Sequence, residues 1–327
     1  MEETIYNKGN TYRAIAESKA IEYRNSVLEL KDYDKYSHIL PDCNAANGFN
    51  FLPSEREYIL SELIKRKEQG KGVDMDRTTK NMLSSQAMCF NLFAPLNKDK
   101  RYATAFYNQL LGNVRFALED IQYEYTPCKE IFRDQTKLGG VDCDAMLTYI
   151  TKENEDALIT IETKYVELDF SNCSFDRPKK NKKTKEYIKD YECPSDTAVS
   201  HDFSNCRYHF KKHYRYWEQT KESGLFKMDE IYQIPCPFRN DLWQLWTNMS
   251  LAYAVAKERR IKNFKFAVIC PKENNKLSRN GEVFSEFRNL LNDPDKFMVI
   301  YLEDIKAAFK AIGNTGWSEE FIKRYCW

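Results

Sequence analysis

The 327-residue chain carries 50 lysines and arginines against 49 aspartates and glutamates, so its net charge of +1 exerts no long-range pull and any polyanionic partner must meet a local basic patch. Hydrophobic residues at 42% with only 11 Gly and 10 Pro exclude a disordered chain, and the length suits one large α/β domain with an appendage or two modest domains. No run of about 18 apolar residues offers a membrane span and polar Met1–Asn10 does not read as a secretory leader, so no membrane association and a cytoplasmic location are expected.

In chain order, apolar Ile15, Ile21 and Leu28 among helix formers predict a helix over Thr11–Leu30. Ser54 reads as the N-cap of a second helix over Ser54–Lys67, with Glu55 and Glu57 in its first turn. The stretch Pro41–Pro53 and the turn around Gly70 and Gly72 are loops. Residues 1–80 therefore read as an N-terminal helical extension to a domain over 81–327. From Thr78 to Leu111 the pattern is helical with a break at Pro95, and Met82, Leu83, Met88, Phe90, Leu92 and Phe93 face the core.

The period then changes to two. Ile121, Tyr123 and Tyr125 alternate with polar residues, and Val141–Ile150 and Leu158–Val166 predict two more strands of a meander that begins near Asp120. A polar, lysine-rich insert over about 170–224 interrupts it. A helix over Pro237–Arg260, a strand over Phe264–Ile269, a helix over Glu282–Leu291, a strand over Phe297–Tyr301 and closing helices follow. This order implies an α/β sheet whose later strands are buried on both faces.

The hairpin carries the chemistry. Side chains alternate faces along a strand, so Glu162 and Lys164 share one face, and Asp142 and Asp144 share one on the preceding strand. Pairing Ile150 with Leu158 places Asp144 opposite Lys164 and diagonal to Glu162. Phosphodiester hydrolysis needs a cation to neutralise the developing phosphorane charge and an activated in-line water. Hard Mg²⁺ favours oxygen donors and keeps open positions, which suits Asp144, Glu162 and the Thr163 carbonyl, with Lys164 orienting the water or stabilising the phosphorane. Glu-x-Lys is a weak pattern alone: Glu17-Ser18-Lys19 and Glu29-Leu30-Lys31 repeat it on the first predicted helix. Solvent-facing charges on a hairpin are the plain alternative.

At Cys143-Asp144-Ala145-Met146-Leu147 and Ile161-Glu162-Thr163-Lys164-Tyr165 the chain resembles the PD-(D/E)xK nuclease superfamily, whose signature is an Asp on one core strand and Glu-x-Lys on the next. More narrowly it is similar to a bacterial branch of restriction-endonuclease-like proteins, through Leu83–Phe93, Tyr123-Glu124-Tyr125-Thr126-Pro127, Phe238-Arg239-Asn240 and Asn50-Phe51-Leu52. The resemblance implies a restriction-endonuclease-like core with a central mixed β-sheet flanked by helices. It also implies Mg²⁺ or Mn²⁺ as cofactor, nucleic acid, DNA first, as substrate, and Asp144, Glu162 and Lys164 as the catalytic residues. A nucleic-acid-binding or scaffolding protein that retains the fold without cutting is the competing reading, and a homodimer stays open.

Around this hairpin, Glu124 is either a third carboxylate for a second ion or metal-bound water, or a surface glutamate at a strand edge. Asp142, beside a glycine pair, reads as turn chemistry ahead of an ion ligand. Gln86 and Asn91, polar on an apolar helix, brace the site or satisfy neighbouring backbone. Arg239, with Asn240 beside it near a helix start, is placed to grip a phosphate, whereas Trp243, Trp246, Met249 and Tyr253 read as core. Lys179, Lys180, Lys182 and Lys183, with the Arg207–Arg215 cluster, suit a clamp on the nucleic-acid backbone, or else a solvated loop. The ten cysteines include no CxxC pair and read as small core residues; Cys173, Cys193, Cys206 and His209 come nearest to a zinc set, but their irregular spacing argues against one.

Overall fold

The computed structural model describes residues 11–70, 72–117, 121–135, 140–176, 179–189, 192–194 and 196–327. The polar stretch Met1–Asn10 and the strand start near Asp120 lie outside them. Among the described residues no helix is long and apolar enough to cross a membrane.

A six-stranded mixed sheet forms the centre. Strands β1 (Val114–Ala117) and β2 (Gln122–Tyr125) both pair antiparallel with β3 (Cys143–Thr151), β1 against its last residues and β2 against its first. Antiparallel β4 (Asp156–Thr163) follows across a tight turn. A ribbon of β5 (Lys179–Lys180) and β6 (Tyr187–Ile188) stands apart in the insert. Then β7 (Asn263–Cys270) joins β4 in parallel and β8 (Phe297–Tyr301) joins β7 in parallel. The central mixed sheet flanked by helices is thus present, with the four-residue β1 as an addition too short to carry a periodic signal.

β4 is buried on both faces, which is why Ala157–Ile161 reads as a nearly unbroken apolar run. Ala157, Ile159 and Ile161 join a cluster with the Ser85–Lys98, Lys100–Leu111, Leu302–Ile312 and Gly316–Tyr325 helices. Tyr12, Leu40, Phe51 and Ile59 from the N-terminal segment join the same cluster. Leu158 faces the other side, with Phe266 and Val268, under the Leu242–Glu258 helix and the aromatic residues of the insert. Trp246 and Met249 are buried there, Trp246 stacked on Phe238 at 4.5 Å, as expected of core.

Three local expectations need correction. The helix through Pro95 does not break there: it runs Ser85–Lys98, and the interruption falls at Asp99, whose carboxylate accepts the Tyr102 N–H at 2.9 Å and starts the next helix. Ser54 does not cap its helix; a 3-10 turn, Pro53–Glu55, leads into Arg56–Glu68, and the Ser54 hydroxyl donates to Glu320 at 2.9 Å. The helix expected from Pro237 begins at Leu242, leaving Arg239 and Asn240 in the preceding loop, where Asn240 takes φ 48°.

Candidate active site

The β3–β4 turn sets the geometry. Asn154 adopts φ 64°, and Thr151 N–H bonds the Glu155 carbonyl at 2.9 Å, so the hairpin closes early and Ile150 pairs with Asp156. The expected pairing of Ile150 with Leu158 is therefore corrected by two residues. A two-residue slip keeps every side chain on its face. Continuing the observed pairing one step past Ala145 and Ile161 puts Asp144 across from Glu162, not Lys164. On the other side of β3, Tyr123 pairs with Ala145 and Tyr125 with Cys143, so Glu124 falls across from Asp144. Glu124, Asp144 and Glu162 thus form one row across three adjacent strands.

Each member of the row is held by named partners. Asp144 Oδ2 accepts the Thr163 N–H at 2.6 Å and the Thr163 hydroxyl at 2.5 Å. Glu162, 5% exposed, accepts from Lys164 Nζ at 2.7 Å and Gln244 Nε2 at 2.7 Å on Oε1, and from Asn248 Nδ2 at 3.0 Å on Oε2. Gln244 and Asn248 project from the same face of the Leu242–Glu258 helix, four residues apart. Glu124, also 5% exposed, accepts from Gln86 Nε2 at 2.6 Å, while Gln86 Oε1 takes the Asp74 N–H at 3.1 Å and the Thr78 hydroxyl. Glu124 is no surface glutamate, and its φ of 46° is a rare conformation for this residue type.

Asp142 belongs to this group as well. A Cβ placed on Gly72 would stand 3.1 Å from Glu124 Oε2 and 3.3 Å from Asp142 Oδ2, so both carboxylates converge on that glycine. Burial, then the charge of Glu162, pushes Asp142 up to about 6. Burial and the neighbouring carboxylates likewise hold Glu124 and Asp144 well above the usual carboxylate range. Burial pulls the Lys164 ammonium down, but Glu162, Glu167 and Asp144 outweigh it and keep it above the ordinary lysine value.

An open cleft of about 480 Å³ is lined by Asp144, Glu162, Thr163 and Lys164. Its rim is fixed by Glu167, which accepts from Tyr165 N at 2.6 Å, Ser85 Oγ at 2.7 Å and Arg77 Nη2 at 3.3 Å. Glu167, Asn248, Ser85 and Arg77 were not legible as site residues. Only Asn248 left a trace, as an amide on an otherwise apolar helix.

Other candidates stand elsewhere. Asn91 bonds Leu52 N, Asn50 O and Tyr325 Oη, bracing an N-terminal loop against the last helix rather than the row. Arg239 Nε donates to the buried Asp176 at 2.5 Å, so the guanidinium is already engaged by a carboxylate. Arg239 and Asn240 line a second open recess with Asp169, which also borders the first cleft. Lys179, Lys180, Lys182 and Lys183 are exposed on the β5–β6 ribbon, and none of them lines the cleft.

Among the described residues no three Asp, Glu, His or Cys side chains are gathered into a ready-made metal cage. The donor set nonetheless fits a hard divalent cation: it is all oxygen, crowded with like charge and open to solvent on one side.

A family model described as the PD-(D/E)XK nuclease superfamily matches residues 10–327, nearly the whole chain. No curated protein and no solved structure gives a match. With its mixed sheet of restriction-endonuclease-like form, the chain belongs to the PD-(D/E)XK nuclease superfamily.

Proposed function

We propose that the protein is a divalent-metal-dependent phosphodiesterase that cuts nucleic acid, DNA first, as an endonuclease of restriction or defence type. The observation that carries this reading is the row of Glu124, Asp144 and Glu162 with Lys164 Nζ 2.7 Å from Glu162, open to a cleft. Asp144, Glu162 and the Thr163 carbonyl are the groups that would hold Mg²⁺ or Mn²⁺, with Glu124 and Asp142 available to a second ion or an ordered water. When bound, such an ion supplies charge neutralisation at the phosphorane and acidifies a water.

The chain's own residues do the rest. Lys164, 2.7 Å from Glu162, orients the water or stabilises the phosphorane charge. Thr163 fixes Asp144, and Gln244 and Asn248 fix Glu162, so that neither carboxylate must reorient when substrate arrives. The lysines of the β5–β6 ribbon serve as a backbone clamp without sequence readout. Arg239 and Asn240, in the recess adjoining the cleft, extend the track for the strand.

The test is nicking of supercoiled plasmid with Mg²⁺ or Mn²⁺, run beside single-stranded RNA. Wild type should nick DNA, and Lys164→Ala should lose about 10²–10³-fold in rate. Equal rates for the two proteins, or no cleavage with either metal, would reject the reading.

A further inference from the structure

The insert and the loop before the Leu242–Glu258 helix bring together a second set of side chains that the cleft does not use. Cys173, Cys193, Cys206 and Cys236 line a single small cavity walled by Phe175, Trp217 and Phe238, and all four are free thiols. They arrive on separate segments. Cys173 opens a turn closed by Asp176 N–H on its carbonyl at 3.1 Å, and Cys193 N–H bonds the Phe175 carbonyl at 2.9 Å. Cys206 precedes the Arg207–Phe210 helical turn, and Cys236 leads toward the Leu242–Glu258 helix. The Asp176 to Arg239 ion pair ties the Cys173 turn to the Cys236 loop, each partner lying three residues beyond its cysteine.

Burial raises all four thiols above their ordinary value, and the backbone at Phe175, Tyr208, His209 and Phe238 offsets only part of that for Cys173, Cys206 and Cys236. A mostly apolar wall that carries four sulfurs and no carboxylate matches a soft, four-coordinate ion and not Mg²⁺ or Ca²⁺.

We propose that Cys173, Cys193, Cys206 and Cys236 form a tetrathiolate site for zinc that staples the insert to the nuclease core. The sulfurs surround the cavity without three already meeting at one point, so ion binding draws the turns together. Of the zinc set weighed from sequence, three members are here; Cys236 takes the fourth place, and His209 lies 3.5 Å from Glu218 instead. The staple sits directly behind the cleft. Ser171, two residues before Cys173, donates its N–H to Gln244 Oε1 at 2.9 Å, and Gln244 holds Glu162.

The full chain, purified without a metal-affinity tag, should hold about one zinc per molecule by elemental analysis. Chelation followed by Co²⁺ should give a sulfur-to-cobalt charge-transfer band, which carboxylate ligands cannot produce. Cys206→Ser and Cys236→Ser should each lose zinc and band, whereas Cys128→Ser and Lys164→Ala keep both. Because loss of a thiol can also unfold the insert, the wild-type cobalt spectrum decides: absence of the band in refilled wild type overturns the proposal. A band that survives in both serine variants overturns it as well.

Discussion

Glu124 stands across from Asp144 in the β2–β3 ladder, and Gln86 pins it there at 2.6 Å. Burial holds both carboxylates above their usual range, helped by Asp144 at Glu124 and by Glu162 at Asp144, and Asp142 beside them is pushed up to about 6. A carboxylate raised in the folded state contributes stability that is complete below the ordinary carboxylate range and is lost as pH climbs through the raised value. The melting temperature of metal-free protein should therefore fall as pH rises above the ordinary carboxylate range, Asp142's share being complete near 6 and that of the other two continuing above it. Glu124→Gln should flatten that fall, and Mn²⁺ should offset it. Thermal melts across the range check this; wild type and Glu124→Gln tracking each other throughout would contradict it.

Gln244→Ala and Asn248→Ala each leave Glu162 less firmly held. The half-saturating Mn²⁺ concentration for plasmid nicking should rise about 10–100-fold, with a smaller change in kcat at saturating metal. A metal titration of each variant reads this directly, and unchanged metal dependence in both would show that the two amides only fill space.

Gly72→Ala places a methyl group 3.1 Å from Glu124 Oε2 and 3.3 Å from Asp142 Oδ2. Gly72 does not need a left-handed backbone, so the fold should survive while the carboxylates shift by a few tenths of an ångström. Nicking should drop several-fold with the melting temperature nearly unchanged, and a variant as active as wild type would mean that these two carboxylates are not used.

Asn91 is fully buried and satisfies Leu52 N, Asn50 O and Tyr325 Oη. Asn91→Ala strands these groups and should cost about 2–4 kcal/mol in urea unfolding. Activity per folded molecule should be retained, since no bond from Asn91 reaches the row.

The charged hairpin was legible because strand parity survives an error of two. Misjudging the turn at Asn154 moved Asp144 from Glu162 to Lys164 yet left all three on the right face. Glu124 stayed ambiguous because a single glutamate in Gln122–Tyr125 reveals neither its burial nor Gln86, which meets it from a helix far away in sequence. Asp142 was read as turn chemistry because Gly139 and Gly140 adjoin it, and nothing local announces Gly72 on its other side. Pro95 misled because proline's missing donor is a local penalty, while the packing of Phe90, Phe93 and Leu96 that carries the helix onward is not local.

β4 gains its second neighbour only from β7, which follows the insert and the Leu242–Glu258 helix in the chain. The amides that grip Glu162 come equally late. A nascent chain leaving the ribosome therefore carries Asp144, Glu162 and Lys164 on an unsupported hairpin until most of its length has been synthesised, and pairing so distant in sequence is slow to form. Translation itself delays assembly of the charged row, so an aborted polypeptide ending between Lys164 and Asn263 holds Asp144, Glu162 and Lys164 but not the strand that flanks them.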